Sequence, residues 1–240
     1  MEQRRELNRD ALKYIAITAM LLDHIAWYLL PFGSPAAQAF HLVGRITAPV
    51  MCFFLAQGYV YTRSLSRYLA RLCLFAAISQ IPWYFLHRGT DKPNFNFLLT
   101  LVFCLLAIHA WENLQNVPLR LLAVGACVAA TWYCDWHIYA PLWCLCFYVF
   151  RSDRGKQLLS FVLVALVYIE EAVRTRLTVG YTWSGSLKGA AFTLGVFLAI
   201  PLLLLYHGKK GRFAWSKWVF YVFYPLHLAV IAVIAAFLKS

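Results

Sequence analysis

The chain has 240 residues, of which 62% are hydrophobic and only 13% are charged. A soluble domain of this length cannot bury so large an apolar fraction, so the composition excludes an ordinary soluble enzyme and predicts an integral membrane protein. The formal net charge of +12 comes from short basic clusters between apolar segments, which argues against a nucleic-acid-binding face. We expect the lipid bilayer, and no nucleic acid, among the partners.

The predicted elements are apolar helices that begin soon after the N-terminus. The opening stretch "MEQRRELNRDALK" is charged and does not resemble a cleavable signal peptide. The apolar run after it has about 20 residues, enough to cross a hydrocarbon core of about 30 Å. Breaks at charge, Pro, Gly and Asn clusters predict an all-α single domain of residues 1–240 with about nine membrane-spanning helices. The predicted spans are residues 12–31, 41–61, 69–85, 95–111, 118–133, 139–150, 158–173, 187–206 and 218–238.

The basic residues indicate how these spans are oriented. They are concentrated before the first span and in the loops after the second, sixth and eighth spans, and fewer lie on the opposite side. The positive-inside rule therefore predicts a cytoplasmic N-terminus and a C-terminus outside. The sequence has no internal repeat and no segment long enough for a separate soluble domain.

Two adjacent polar residues interrupt the first span, in the stretch "AITAMLLDHIAWYLL", which contains Asp23 and His24. A charge at mid-membrane costs about 2.5–3.5 kcal/mol, so it needs a partner or a water-lined cavity and marks a candidate functional site. Neighbouring positions of a helix point about 100° apart, so we expect the two side chains to face different neighbours. The structural alternative is a pair of buried polar links between helices.

The second span contains the sequence "HLVGRITAPV", with Gly44 and Arg45 in its outer quarter. Arginine stays protonated and can hold an oxyanion or a carboxylate such as Asp23. The alternative is an Arg45 side chain that extends to the lipid headgroups.

The ninth span contains "FYVFYPLHLAV", which places His227 two residues after Pro225. A proline inside a helix removes a backbone hydrogen bond, so we expect a kink that exposes the carbonyl of Tyr221. His24 and His227 are predicted at comparable depth, which suggests a shared site. The alternative is a hydrogen-bonded histidine in the helix packing.

The remaining reactive residue types give weaker signals. The seven cysteines fall in or beside apolar runs without CxxC or zinc-type spacing, so we interpret them as small buried residues and predict no metal. Glu170 and Arg174 have the i,i+4 spacing of a helix-end ion pair. The polar residues Gln80, Asn94 and Asn96 lie at the ends of the third and fourth spans.

Four long blocks of the sequence resemble one family. They are "LKYIAITAMLLDHIAWYLLP", "LVGRITAPVMCFFLAQGYVYTRSLSRYLARLCLFAAISQIP", "LLLLYHGKKGR" and "KWVFYVFYPLHLAV". In this order they resemble the TraX family, the F-pilin acetylase family of conjugative plasmids. The resemblance implies a multi-pass protein of the bacterial inner membrane. It also implies transfer of an acetyl group from cytoplasmic acetyl-CoA to the N-terminal amine of a pilin-like peptide.

The resemblance also assigns the unusual intramembrane residues. The family's Asp-His pair falls on Asp23 and His24, and its Gly-Arg pair falls on Gly44 and Arg45. Its basic loop falls on residues 208–212 and its Tyr-Pro-Leu-His on residues 224–227. Where the family has other residue types, this chain has Ala48, His137 and Ala140.

Acyl transfer from a thioester needs a base for the nucleophile and a group that stabilises the oxyanion. We therefore predict His24 as general base or transient acyl carrier and Asp23 as the residue that orients it and balances charge. Arg45 would bind the oxyanion or an acceptor carboxylate, and His227 would complete the site. The predicted contacts of the acetyl-CoA phosphates are some of Arg63, Arg67, Arg71, Lys209, Lys210 and Arg212.

Other functions fit the same residues, and a purely structural role in pilus or envelope assembly, without coenzyme A binding, is a further alternative. An O-acetyltransferase would use this chemistry on a glycan or a lipid, and a small-molecule acceptor is also possible. A proton- or anion-conducting transporter would use Asp23, His24 and His227 as a path. The absence of a repeat of the kind that transporters have, together with the basic loops, favours the acyltransferase.

Overall fold

The computed structural model describes residues 7–88, 93–208 and 216–239, without the side chains of residues 216, 217 and 239. Over these residues the protein is all-α, as predicted, with eleven α-helices, two 3₁₀ segments and no β-strand. The predicted donor contacts Lys209, Lys210 and Arg212 lie outside the described residues. The helices are α1 (Arg9–Leu29), α2 (Pro35–Gly44), α3 (Thr47–Tyr61), α4 (Leu65–Leu86), α5 (Phe97–Asn113), α6 (Val117–Ala130), α7 (Tyr139–Val149), α8 (Arg154–Thr178), α9 (Trp183–Ala190), α10 (Ala199–Leu204) and α11 (Ser216–Lys239).

Polar side chains define several helix starts by accepting hydrogen bonds from first-turn N–H groups. Asn8 caps α1 through the N–H of Ala11, at 2.9 Å. Ser34 caps α2, and Pro35 follows it at the first helical position. Such caps satisfy donors that the helix leaves open, and proline is tolerated there because its missing N–H is not needed. The second apolar segment therefore begins at residue 35, earlier than the predicted residue 41.

Four segments of the described chain are long and apolar enough to cross a membrane. The predicted count of nine is not reproduced: α1 and α8 are long but are not among the four, and three other apolar helices are short. Helices α5, α6 and α7 have 17, 14 and 11 residues, which gives about 26, 21 and 17 Å against a core of about 30 Å. The structure supports a helical membrane protein, while the nine spans and the cytoplasmic N-terminus stay predictions. The four segments are Pro35–Tyr61, Leu65–Leu86, Trp183–Leu204 and Trp218–Leu238.

One compact unit of the chain consists of Met1–Met51 and Ala165–Phe223. In this unit α2 packs against α1 and against the 3₁₀ segment Ala191–Leu198. The hydroxyl of Thr47 donates to the carbonyl of Ala16 at 3.1 Å, which ties the start of α3 to α1. These contacts fix the end of α2 against the middle of α1.

Gly195 lies against the backbone of α2. A Cβ atom at this position would overlap the carbonyl oxygen of Leu42. We expect Gly195→Ala to push the two segments apart and to lower the melting temperature of the purified protein by several degrees, because overpacking costs about 1–3 kcal/mol.

Gly125→Ala in α6 is the matched control for this prediction. A Cβ atom added at Gly125 meets no heavy atom within 4 Å. Since alanine favours the helix interior by about 0.5–1 kcal/mol over glycine, this variant should melt at or above the native temperature. Equal melting temperatures for the two variants would contradict the close α2 contact.

The second compact unit consists of Cys52–Val164 and Tyr224–Ser240. In it α5 packs against α4, α6 and α7. Nδ2 of Asn96 donates to the side-chain oxygen Oε1 of Gln80 at 2.7 Å. The side-chain oxygen Oδ1 of Asn96 accepts a hydrogen bond from the backbone N–H of Leu98 at 3.0 Å. These polar residues hold α4 against the start of α5.

Two of the weaker sequence predictions can be compared with the structure. The Glu170–Arg174 ion pair is confirmed, with 3.4 Å between Oε1 and Nε. The cysteines are all free thiols, and the interpretation as buried residues is wrong for Cys73, which is exposed on α4. Cys127 and Cys146 are half-buried. The buried cysteines are Cys52, Cys104, Cys134 and Cys144.

Candidate functional site

Asp23 is the centre of a buried polar cluster formed by α1 and the end of α2. His41 Nδ1 hydrogen bonds to one carboxylate oxygen of Asp23 at 2.8 Å. Nη2 of Arg45 forms an ion pair with the other oxygen. The side chains of Asp23 and Arg45 are 12% and 9% exposed, and that of His41 is fully buried. Each carboxylate oxygen thus has a separate partner, which is the pairing that a buried charge requires.

The close approach of α2 to Asp23 depends on Gly44. A Cβ atom on Gly44 would overlap the Asp23 side chain. His41 and Arg45 are four residues apart and therefore lie on the same side of the helix end, on either side of this glycine. The Gly-Arg pair found in the sequence thus has a structural reason: Gly44 leaves room for the carboxylate that Arg45 neutralises.

Arg45 has fixed partners from the second half of the same unit. Its Nη1 donates to the hydroxyl of Tyr168 on α8, at 3.3 Å. Its guanidinium carbon lies 5.4 Å from the centroid of the Phe192 ring, in the 3₁₀ segment. A planar guanidinium uses such forked and stacked contacts well. The alternative of an Arg45 that extends to the headgroups does not fit so buried a side chain.

His41 is held in an aromatic environment. Its ring centroid lies 4.5 Å from that of Trp27 and 5.2 Å from that of Phe192. While Nδ1 is bonded to Asp23, Nε2 is buried and has no hydrogen-bond partner among the residues that the structure describes. A buried polar atom without a partner costs about 1–3 kcal/mol and requires an explanation. With Nδ1 as the donor to Asp23, Nε2 of the neutral ring carries a lone pair that can accept a proton.

Sequence reasoning did not identify His41 as a site residue. It placed His41 at the very start of a span, where a histidine is unremarkable at the membrane surface. Two signals could have found it: the Ser34–Pro35 helix start, which moves His41 into the helix, and its i,i+4 spacing to Arg45. The partner relation to Asp23, 18 residues away, had no sequence signal.

The two predicted catalytic histidines have different surroundings. His24 is buried and its ring stacks on Tyr28 at 6.2 Å between centroids, so it faces a different neighbour from Asp23, as expected. His227 is buried beside Tyr224, with ring centroids 5.6 Å apart, and α11 continues as one helix through Pro225. His24 and His227 belong to different compact units, so their shared site stays a prediction.

The described donor-binding candidates form a separate basic group around the start of α4. Arg63 and Arg67 are exposed, and Arg71 is half-buried with its guanidinium carbon 5.8 Å from the Tyr68 ring centroid. Their spacing of four residues places Arg67 and Arg71 on one face of α4. These residues belong to the second compact unit, whereas Asp23, His41 and Arg45 belong to the first.

The cluster contains the types of group that general acid–base catalysis uses. A carboxylate that accepts from Nδ1 of an imidazole fixes the ring and leaves Nε2 as the proton acceptor, the arrangement used by hydrolytic triads. Arg45, the third member of the cluster, is a cation and cannot serve as a metal ligand. In the described part of the chain no group of three or more His, Cys, Asp or Glu side chains is arranged to hold a metal.

The fold and this cluster define a class: an all-helical membrane protein with a buried Asp–His–Arg site on its first two helices. The chain belongs to the TraX family, whose model, described as TraX protein, matches residues 8–235. The resemblance drawn from the sequence is thereby confirmed.

Two further proteins are similar to the chain, one over most of its length and one over a part of it. The chain is 33% identical over 220 residues, 88% of both chains, to a protein of Dichelobacter nodosus named probable fimbrial assembly protein FimC, serogroup H1. It is 33% identical over 73 residues to an uncharacterized protein of Rickettsia prowazekii, which covers 30% of this chain and 26% of that one. No solved structure matches the chain.

Proposed function

We propose that the protein is a membrane acyltransferase that moves an acetyl group from acetyl-CoA to the N-terminal amine of a pilin-like peptide. The observation that carries this proposal is the buried His41, whose Nδ1 is bonded to Asp23 and whose Nε2 has no hydrogen-bond partner among the described residues. Membership of the TraX family and the fimbrial name of a relative support a pilus-related acceptor. The corresponding location is the bacterial inner membrane, where acetyl-CoA is supplied from the cytoplasm.

In the proposed step, the nitrogen of the acceptor amine attacks the thioester carbonyl, and Nε2 of His41 takes a proton from that amine. The carbon–nitrogen bond forms, an oxyanion develops, and the carbon–sulfur bond then breaks. The coenzyme A thiolate leaves and receives the proton from His41. Asp23 holds the imidazole in the required tautomer and stabilises the imidazolium that forms. Arg45 supplies the positive charge that offsets the oxyanion and keeps the cluster balanced.

The sequence-based roles of the other residues fit around this step. His24, buried one position from Asp23, is the competing candidate for base or acyl carrier. His227 is proposed to complete the acceptor side, and Arg63, Arg67 and Arg71 to contact the donor.

The experiment is an acetylation assay with full-length protein reconstituted in proteoliposomes. The substrates are ¹⁴C-acetyl-CoA and a synthetic peptide with a free apolar pilin-type N-terminus, and the product is identified by mass spectrometry. We expect acetyl transfer to the α-amine and release of coenzyme A thiol in equal amounts.

The matched control peptide carries a blocked N-terminus and a free lysine side chain. Transfer to the blocked peptide would place the chemistry elsewhere than at the α-amine. Transfer to lipid or added glycan, but not to peptide, would favour the O-acetyltransferase alternative. Proton flux without any acetyl transfer would favour the transporter.

A further inference from the structure

A cavity of about 180 Å³ lies within the second compact unit, between α3, α7 and the start of α8. Its inner wall is apolar and includes the buried rings of Phe53 and Phe147. Its polar lining is dominated by Arg151 and Arg154, whose side chains are exposed at the rim. The cavity therefore combines an aromatic wall with two positive charges.

The two guanidinium groups are positioned by neighbouring groups. Arg151 Nη1 donates to the carbonyl of Tyr148 at 2.9 Å, and its guanidinium carbon lies 4.3 Å from the Tyr148 ring centroid. Arg154 lies 5.8 Å from the Phe53 ring centroid and donates to Gln157 Oε1 at 3.5 Å. Gln157 is itself buried and fixed by a 2.8 Å hydrogen bond to the Phe147 carbonyl. Such fixed arginines lose little freedom when they bind an anion.

The nearby carboxylates have other partners. Asp153, between the two arginines in sequence, pairs with Lys156 at 3.3 Å and accepts from its backbone N–H at 3.0 Å. These contacts lower the pKa of Asp153, so it is a carboxylate committed to Lys156. Glu112 does not line the cavity. The lining residues therefore include two cations and no acid.

We propose that this cavity binds the phosphate group of an anionic ligand through Arg151 and Arg154. Planar guanidinium groups match phosphate oxygens with paired hydrogen bonds. Pockets that enclose a whole drug-sized ligand have about 300–1,000 Å³, so a cavity of this size takes one phosphate and its immediate ester rather than an entire coenzyme. Arg151 and Arg154 thereby add a second anion site to the one predicted around Arg63, Arg67 and Arg71.

Two sources supply this chemistry: a phosphate of coenzyme A, or the phosphodiester headgroup of an anionic lipid. The coenzyme source rests on the proposed function, because it makes the cavity part of donor binding. The lipid source does not. Both predict the same dependence on the two arginines.

The test measures the Kd values of defined probes with detergent-purified, full-length protein. The probes are coenzyme A, 3′-dephospho-coenzyme A, and nanodiscs of phosphatidylglycerol compared with phosphatidylcholine. We expect Arg151→Gln and Arg154→Gln each to weaken binding of the phosphate probe about ten- to a hundredfold. The matched control Arg174→Gln removes the same charge from a side chain that is 64% exposed and does not line the cavity, and it should change binding less than twofold.

The outcomes separate the two sources and the two proposals. The site is assigned to coenzyme A if the native protein binds 3′-dephospho-coenzyme A more weakly than coenzyme A and both arginine variants bind coenzyme A more weakly than the native protein does. It is assigned to lipid if the variants lose only the binding of phosphatidylglycerol. Native affinity in both Arg151→Gln and Arg154→Gln, an equal loss in Arg174→Gln, or no binding of any phosphate probe overturns the proposal. Melting curves identify a variant that fails to fold, and the second arginine then carries the test. Phosphate binding by a protein without acetyl transfer would leave this site standing and reject the acyltransferase.

Discussion

Replacing His41 by glutamine is expected to lower the acetyl transfer rate about 10²–10⁴-fold, the contribution of a positioned general base. Glutamine keeps a hydrogen-bonding side chain beside Asp23 but cannot accept the proton at the position of Nε2. The rate should be measured under single-turnover conditions in proteoliposomes, with saturating acetyl-CoA, so that chemistry rather than binding is observed.

The matched control is His24→Gln, on the same helix as Asp23 and equally buried. We expect it to keep the rate within a few-fold, since the two carboxylate oxygens of Asp23 are held by His41 and Arg45 while the His24 ring stacks on Tyr28. The opposite result, full loss in His24→Gln with activity retained in His41→Gln, would restore His24 as the base. Loss in both with unchanged melting temperatures would indicate that the two imidazoles act together.

Removing the charge of Asp23 is expected to destabilise the fold more than any exposed charge change. Asp23→Asn leaves the Arg45 guanidinium buried without its counter-charge, which costs about 3–5 kcal/mol. The double variant Asp23→Leu with Arg45→Met removes both charges and should recover much of this loss, because a buried pair often gives way to apolar residues without penalty. Equilibrium denaturation in mixed detergent micelles measures the free energy of unfolding for each variant.

The control for the ion-pair prediction is Glu170→Gln, which breaks the Glu170–Arg174 pair. Both side chains of that pair are more than 60% exposed. Exposed pairs contribute about 0–1 kcal/mol, so this variant should stay close to native stability. If Asp23→Asn proves no more destabilising than Glu170→Gln, the cluster is better hydrated than its burial indicates. Both Asp23 variants should transfer acetyl groups far more slowly, since neither has the carboxylate that stabilises the imidazolium of His41.

The amino-acid sequence by itself determined the class of the protein and the positions of most helices. It also identified Asp23 and Arg45 as charged residues inside apolar segments and therefore as candidate site residues. These features are local: an apolar run of about 20 residues is a membrane span wherever it occurs, and a charge inside it is costly wherever it points. The family followed from four blocks of such residues, and its model matches residues 8–235.

Partners and boundaries were decided by the tertiary structure. Asp23 hydrogen bonds with His41 rather than His24, because α2 begins at Pro35 and Gly44 lets its last turn reach α1. Likewise, Arg45 meets Tyr168 from a helix more than a hundred residues later. Periodicity reports which side of a helix is apolar, but a partner across two helices depends on how closely their backbones pack. That distance is set by the whole core, so it appears only in the folded chain.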